Sequence, residues 1–116
     1  MSVAIQDPKI KNVWTSKNWF QVLQTGEKSQ TAVMTLAPGK SSGEEAESHE
    51  ESEQVLMVIE GEVLAEIGDD KRTLRSGDVV VISPGTKHRF VNRGRKPAVT
   101  FNVYSPPEYS ENESGD

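Results

Sequence analysis

The chain contains no cysteine, which excludes a disulfide framework, a thiolate metal site and a thiol nucleophile together. Histidine is almost as scarce, with 2 in 116 residues, so any imidazole chemistry rests on His49 and His88. Aromatic residues make up 6% and hydrophobic residues 34%, a lean supply that suits a small domain whose strands face solvent on one side. No apolar run approaches membrane-spanning length, and the start, MSVAIQDPKIKN, lacks the apolar stretch of a secretory leader. A surplus of cations is missing too: 13 Lys and Arg stand against 18 Asp and Glu, for a net charge of -5. No basic cluster exceeds DDKRTLR or KHRFVNRGRK, and interleaved cations of that kind belong to the wet face of a strand pair. Neither a nucleic-acid partner nor a membrane is expected, and the expected location is cytoplasmic.

What remains is a chain of one-domain size with strands marked off by turn signals. Residues before Asn12 read as an irregular arm, or one exchanged with a partner. WFQVLQTGEKSQTAVMTLAPG reads as a hairpin with strands at Trp19–Leu23 and Thr31–Leu36. After the polar KSSGEEAESHEES, the run QVLMVIEGEVLAEIG reverses at Gly61. Asp69 and Asp70 make the next turn, KRTLRSG a short strand, and DVVVISPGTKHRF two strands about a Pro84–Gly85 turn. A last strand covers Ala98–Tyr104. Eight or nine short strands and no sustained 3.6-residue period make an all-β antiparallel sandwich or barrel. The domain is assigned to residues 1–107, with residues 108–116 as a mobile acidic tail.

One segment mixes charge with a histidine: ESHEESEQ, residues 47–54. Residues two apart on an extended strand point the same way, so Glu47 and His49 share a face. Gln54 approaches the same point if the strand resumes in register, with EESE bulging outward. His88 lies far along the chain, and Phe90 and Asn92 share its face. Two imidazoles, a carboxylate and an amide oxygen make a four-ligand cup of the mixed N/O kind that Fe(II), Mn(II), Ni(II) and Zn(II) accept. Spacing alone leaves the other reading open, in which both histidines lie on the surface and the segment is a solvated acidic loop.

Taken together, GEEAESHEESEQVLMVIEG and GDVVVISPGTKHRFVN resemble the two motifs of a small single-domain cupin. Counting back from Gly61, Gln54 takes the place of the acidic ligand, His49 that of the second histidine and Glu47 that of the first. In the second motif Gly77, Gly85, His88 and Asn92 match, while Ser83 stands where proline is common. With the flanking hairpin and closing strand the resemblance covers about residues 19–105. TGEKSQ, APG, SEQ and YSPPEY further resemble a subset of small bacterial cupins. The resemblance implies a double-stranded β-helix, or jelly-roll barrel, commonly a homodimer. It also implies one divalent transition metal held by Glu47, His49, Gln54 and His88. Exchanging one histidine for Glu47 and the carboxylate for Gln54 leaves the ligand charge near that of three histidines and one glutamate.

Two functions follow from that expectation. One is a metal-dependent enzyme, a dioxygenase, isomerase or lyase on a small polar substrate, with Glu47 serving as ligand or as general base. The other is a non-enzymatic barrel that binds a sugar or an organic acid. Leu56, Val58, Phe90 and Phe101 are expected to line or pack the barrel, with Met34 and Met57 as core filler. Tyr104 is placed at the rim, Trp14 and Trp19 at an edge or dimer contact, and Asn92 at a strand end or turn. Arg89 alternates away from His88 and should leave the cavity.

Overall fold

A computed structural model of the chain describes residues 10–110; most of the expected arm (residues 1–9) and the last part of the expected tail (residues 111–116) lie outside it. After a single 3₁₀ turn at Val13–Thr15 come eight strands: β1 Phe20–Thr25, β2 Gln30–Leu36, β3 Glu53–Glu60, β4 Glu62–Ile67, β5 Asp70–Arg75, β6 Val79–Ile82, β7 His88–Val91 and β8 Ala98–Ser105. They form a five-stranded sheet in the order β1-β2-β8-β3-β6 and a three-stranded sheet in the order β5-β4-β7. Every pairing is antiparallel. The expected all-β jelly-roll architecture is present.

Alternation fixes the core. β3 turns Gln54, Leu56 and Val58 inward, and β8 turns Ala98, Thr100, Asn102 and Tyr104 inward; all seven are buried. Phe90 from β7 and Val63 and Ala65 from β4 meet them from the other sheet. Two expectations fail on parity. Phe101 and Met57 are directly opposed in register, only partly buried, and absent from the core cluster. Each lies one residue out of phase with its strand's inward series, so both belong to the outer sheet face, beside the exposed Val79.

Gly61 makes the β3–β4 reversal in the left-handed region at φ 77°, and a Cβ there would stand 2.6 Å from the Pro97 carbonyl oxygen. Asn92, fully buried, ties the next corner. Its Nδ2 donates to the carbonyls of Leu36 and Lys96, both at 2.8 Å, and its Oδ1 accepts from the Gly94 N–H at 2.8 Å. Strand starts at Gln54 and His88 and the strand end at Tyr104 thereby gather at one mouth of the barrel. The Gly61 and Asn92 corners close the other.

Candidate functional site

The acidic segment joins the barrel through its backbone. Glu47 N–H donates to the His88 carbonyl at 3.0 Å, and His88 N–H donates to the Glu47 carbonyl at 2.8 Å. Directly opposed residues of an antiparallel pair project to the same side, so this one bridge sets the Glu47 and His88 side chains next to each other. Gly85 N–H donates to the His49 carbonyl at 2.7 Å, tying the segment to the Pro84–Gly85 turn as well. The rings of His49 and His88 stand with centroids 5.1 Å apart. From this bridge to the first residue of β3, Glu50, Glu51 and Glu53 face solvent as expected of an outward bulge. Ser52 instead turns in and donates to the Pro106 carbonyl at 2.7 Å.

All four expected site residues, Glu47, His49, Gln54 and His88, line one cavity of about 280 Å³. Tyr104 and Phe90 line it too, as does Trp19, which was expected at an edge or dimer contact. Arg89 points away, as its parity requires, donating to Gly43 O at 2.7 Å and pairing with Glu66 at 3.1 Å. Glu47 sits exposed at the rim, whereas Gln54 and His88 are buried.

The two rings are oriented by acceptors behind them. His88 Nδ1 lies 2.9 Å from the Thr86 carbonyl oxygen, which only accepts, so Nδ1 carries the hydrogen and Nε2 keeps its lone pair. His49 Nδ1 lies 3.2 Å from a Glu108 carboxylate oxygen, which likewise leaves Nε2 for the cavity. Burial holds the His88 pKa below its ordinary 6.5; the Thr86 bond opposes that shift, nearby His49 adds to it, and Glu47 opposes it weakly.

Gln54 supplies an oxygen. Its Nε2 donates to Asn102 Oδ1 at 3.0 Å, while its Oε1 is buried without a partner. The amide direction is fixed from the next residue along: Asn102 Nδ2 faces Thr100 Oγ1 at 3.0 Å and the acceptor-only Thr100 carbonyl at 3.4 Å, so Oδ1 must face Gln54. Among the described residues, no group of three or more His, Cys, Asp or Glu is gathered closely enough to hold a metal ion.

Several residues here were not anticipated: Asn102, Tyr109, Phe20, Ser42 and Glu45 line the cavity, while Glu108 and Gln30 act from behind it. Of the segment expected to be a mobile tail, Glu108 reaches His49, and Tyr109 packs on Phe20, Tyr104 and His49. Burial drives the Tyr104 phenol well above its ordinary pKa, with the neighbouring Tyr109 and Glu108 adding to the shift. The phenol therefore stays protonated at physiological pH.

A description of the cupin-domain family matches residues 32–104. The uncharacterised Bacillus subtilis protein YrkC is 28% identical over 107 residues, covering 86% of this chain and 56% of that protein. The tetracenomycin polyketide synthase protein TcmJ of Streptomyces glaucescens is 33% identical over 69 residues, covering 59% of this chain and 45% of that one. The chain thus spans about half the length of these two relatives. The crystal structure of BH2720 from Bacillus halodurans superposes with a TM-score of 0.85 at 22% identity, covering 99% of this chain and 93% of that one. KdgF from Halomonas sp. superposes at 0.69 with 20% identity, covering 76% of this chain and 79% of that one. At these identities the two structures speak for the fold alone.

Proposed function

We propose, since the chain belongs to the cupin family, that its barrel mouth is a metal-dependent site acting on a small polar molecule. One observation carries this reading. The buried, unpartnered Gln54 Oε1 shares a cavity with two imidazoles whose Nδ1 atoms are both committed elsewhere. That leaves three lone-pair donors, N, N and O, a mixed set suited to Mn, Fe, Ni or Zn as a divalent ion. Two rings each bonded to one ion at about 2.1 Å and set tetrahedrally have centroids about 5 Å apart, close to what their separation here requires. The residues fit such an ion, with His49, His88 and Gln54 holding it and Glu47 beside them at the rim. Bound there, the ion would supply Lewis-acid polarisation of a substrate oxygen.

The chain's own groups do the rest. Thr86 and Glu108 hold the two rings in one tautomer, the arrangement that raises ligand basicity and fixes ring direction. Glu47, exposed and next to His88, accepts a proton from a bound substrate. Tyr104 and Phe90 narrow the cavity around a small molecule. Dioxygenase, isomerase and lyase chemistry all draw on this arrangement.

That no three or more His, Cys, Asp or Glu side chains among the described residues are gathered to hold a metal ion favours a second reading, a barrel that binds a sugar or organic acid without turnover. Elemental analysis of untagged protein separates the two. A stoichiometric transition metal that is lost in His88→Ala supports the metal reading; substoichiometric metal in both proteins supports the binding barrel. We extend the proposal to a cytoplasmic homodimer, to be checked by cell fractionation and by light scattering.

A further inference from the structure

Gln30 is a glutamine where its strand calls for an apolar side chain. It opens the inward series Gln30, Ala32, Met34, Leu36 of β2 and is 1% exposed. Its amide is fully committed. Oε1 accepts from the N–H groups of Glu108 at 3.0 Å and Tyr109 at 2.8 Å. Nε2 donates to the Tyr109 carbonyl and to Thr25 Oγ1, both at 2.9 Å. A leucine would fill the same space without partners, so what the glutamine adds is a seat for the backbone at residues 108 and 109. Ser52 makes a second seat two residues earlier, through its bond to the Pro106 carbonyl. Held at both points, the segment sets the Glu108 carboxylate 3.2 Å from His49 Nδ1. It also stands the Tyr109 ring edge-on to Tyr104 at 5.1 Å.

We infer that Glu108 is a positioning residue for His49 and that Gln30 holds it in place. The carboxylate keeps Nδ1 hydrogen-bearing and turned out of the cavity, so that Nε2 is the nitrogen offered to a ligand. This deepens the metal reading above and rests on it for His49's role as a ligand. His88 is independent of the device, because its Nδ1 is anchored by Thr86 within its own turn. It therefore serves as an internal control.

The test uses full-length, metal-free, ¹⁵N-labelled protein at one fixed pH above the ordinary imidazole range. The imidazole nitrogen shifts report the tautomer of each ring directly. Wild type is expected to show His49 protonated at Nδ1. Glu108→Ala and Gln30→Leu should each shift His49 toward a mixed tautomer, with His88 unchanged, and Glu108→Gln, which keeps an acceptor, should fall between. Calorimetric titration with Zn²⁺ should show affinity weakened about 10- to 100-fold in Glu108→Ala. If Gln30→Leu fails to fold, Ser52→Ala tests the same seating. Wild type that takes up no Zn²⁺ yet shows the tautomer pattern would remove the metal reading and uphold the positioning role. An unchanged His49 tautomer in Glu108→Ala, or His88 shifting together with His49, would overturn the inference.

Discussion

Glu47 and His88 exchange both of their backbone hydrogen bonds, at 3.0 and 2.8 Å, although no regular strand contains Glu47. This bridge brings the acidic segment onto the barrel mouth, and it separates what Glu47 does with its backbone from what it does with its carboxylate. Glu47→Ala keeps the bridge and removes an exposed side chain, so stability should change by no more than about 0.5 kcal/mol while any turnover falls sharply. Glu47→Pro removes the N–H and strands the His88 carbonyl, a loss of about 1–3 kcal/mol. Urea titrations of the two variants give the comparison.

Acid should destabilise the metal-free protein through His88. Its folded pKa lies below the ordinary 6.5, chiefly through burial, so the unfolded chain binds the proton more readily. The His88 contribution is therefore fully present above pH 6.5 and is lost as the pH falls through 6.5 toward the folded pKa. Replacing the imidazole by a non-titrating amide, His88→Gln, should flatten this part of the pH–stability curve. An NMR titration should place the His88 midpoint below 6.5.

Gln54→Glu restores a carboxylate at the position where the family resemblance expects one. Without metal, a carboxylate there faces Asn102 Oδ1, acceptor against acceptor, in a buried place. The apo protein should lose about 1–3 kcal/mol by urea melting. Divalent metal should bind about tenfold more tightly by calorimetry, because the new ligand brings charge. Stability and affinity moving in the same direction would contradict the placement of this side chain.

Gly61 and Gly39 share a left-handed backbone, at φ 77° and 82°, but differ in their surroundings. At Gly61 a Cβ meets the Pro97 carbonyl at 2.6 Å and Ala98 Cα at 3.0 Å; at Gly39 it meets nothing within 4 Å. Gly39→Ala should lose about 1–2 kcal/mol from conformation alone. Gly61→Ala should lose about 3 kcal/mol or more, because backbone must move to admit the methyl group. Equal losses in thermal melts would contradict this packing.

The strands were legible because alternation and glycine-marked turns are local signals, whereas spacing alone left open whether His49 and His88 meet, and only the resemblance to the two cupin motifs implied a shared site. Phe101 and Met57 misled because hydrophobicity alone does not say which face of a strand a side chain takes; only the phase set by Gln54 and Tyr104 does. Asn102 had a readable signal, as a polar residue in the inward series Thr100, Asn102, Tyr104. Gln30 had the same kind of signal at the head of β2. Glu108 and Tyr109 had only the YSPPEY resemblance, which names no role for either side chain. Their seats are made by β2 and by Ser52, distant in sequence, and a charged polar ending reads as a tail whether or not something buried holds it.

The central claim is that His49, His88 and Gln54 offer their lone pairs to one point. Anomalous diffraction from crystals grown with Mn²⁺ or Zn²⁺, collected on either side of the metal's absorption edge, tests it most directly. The account expects one strong peak per chain between the two imidazoles, within bonding distance of both Nε2 atoms and of Gln54 Oε1. A cavity without a peak at saturating metal, or a peak held by the exposed carboxylates outside it, would contradict it.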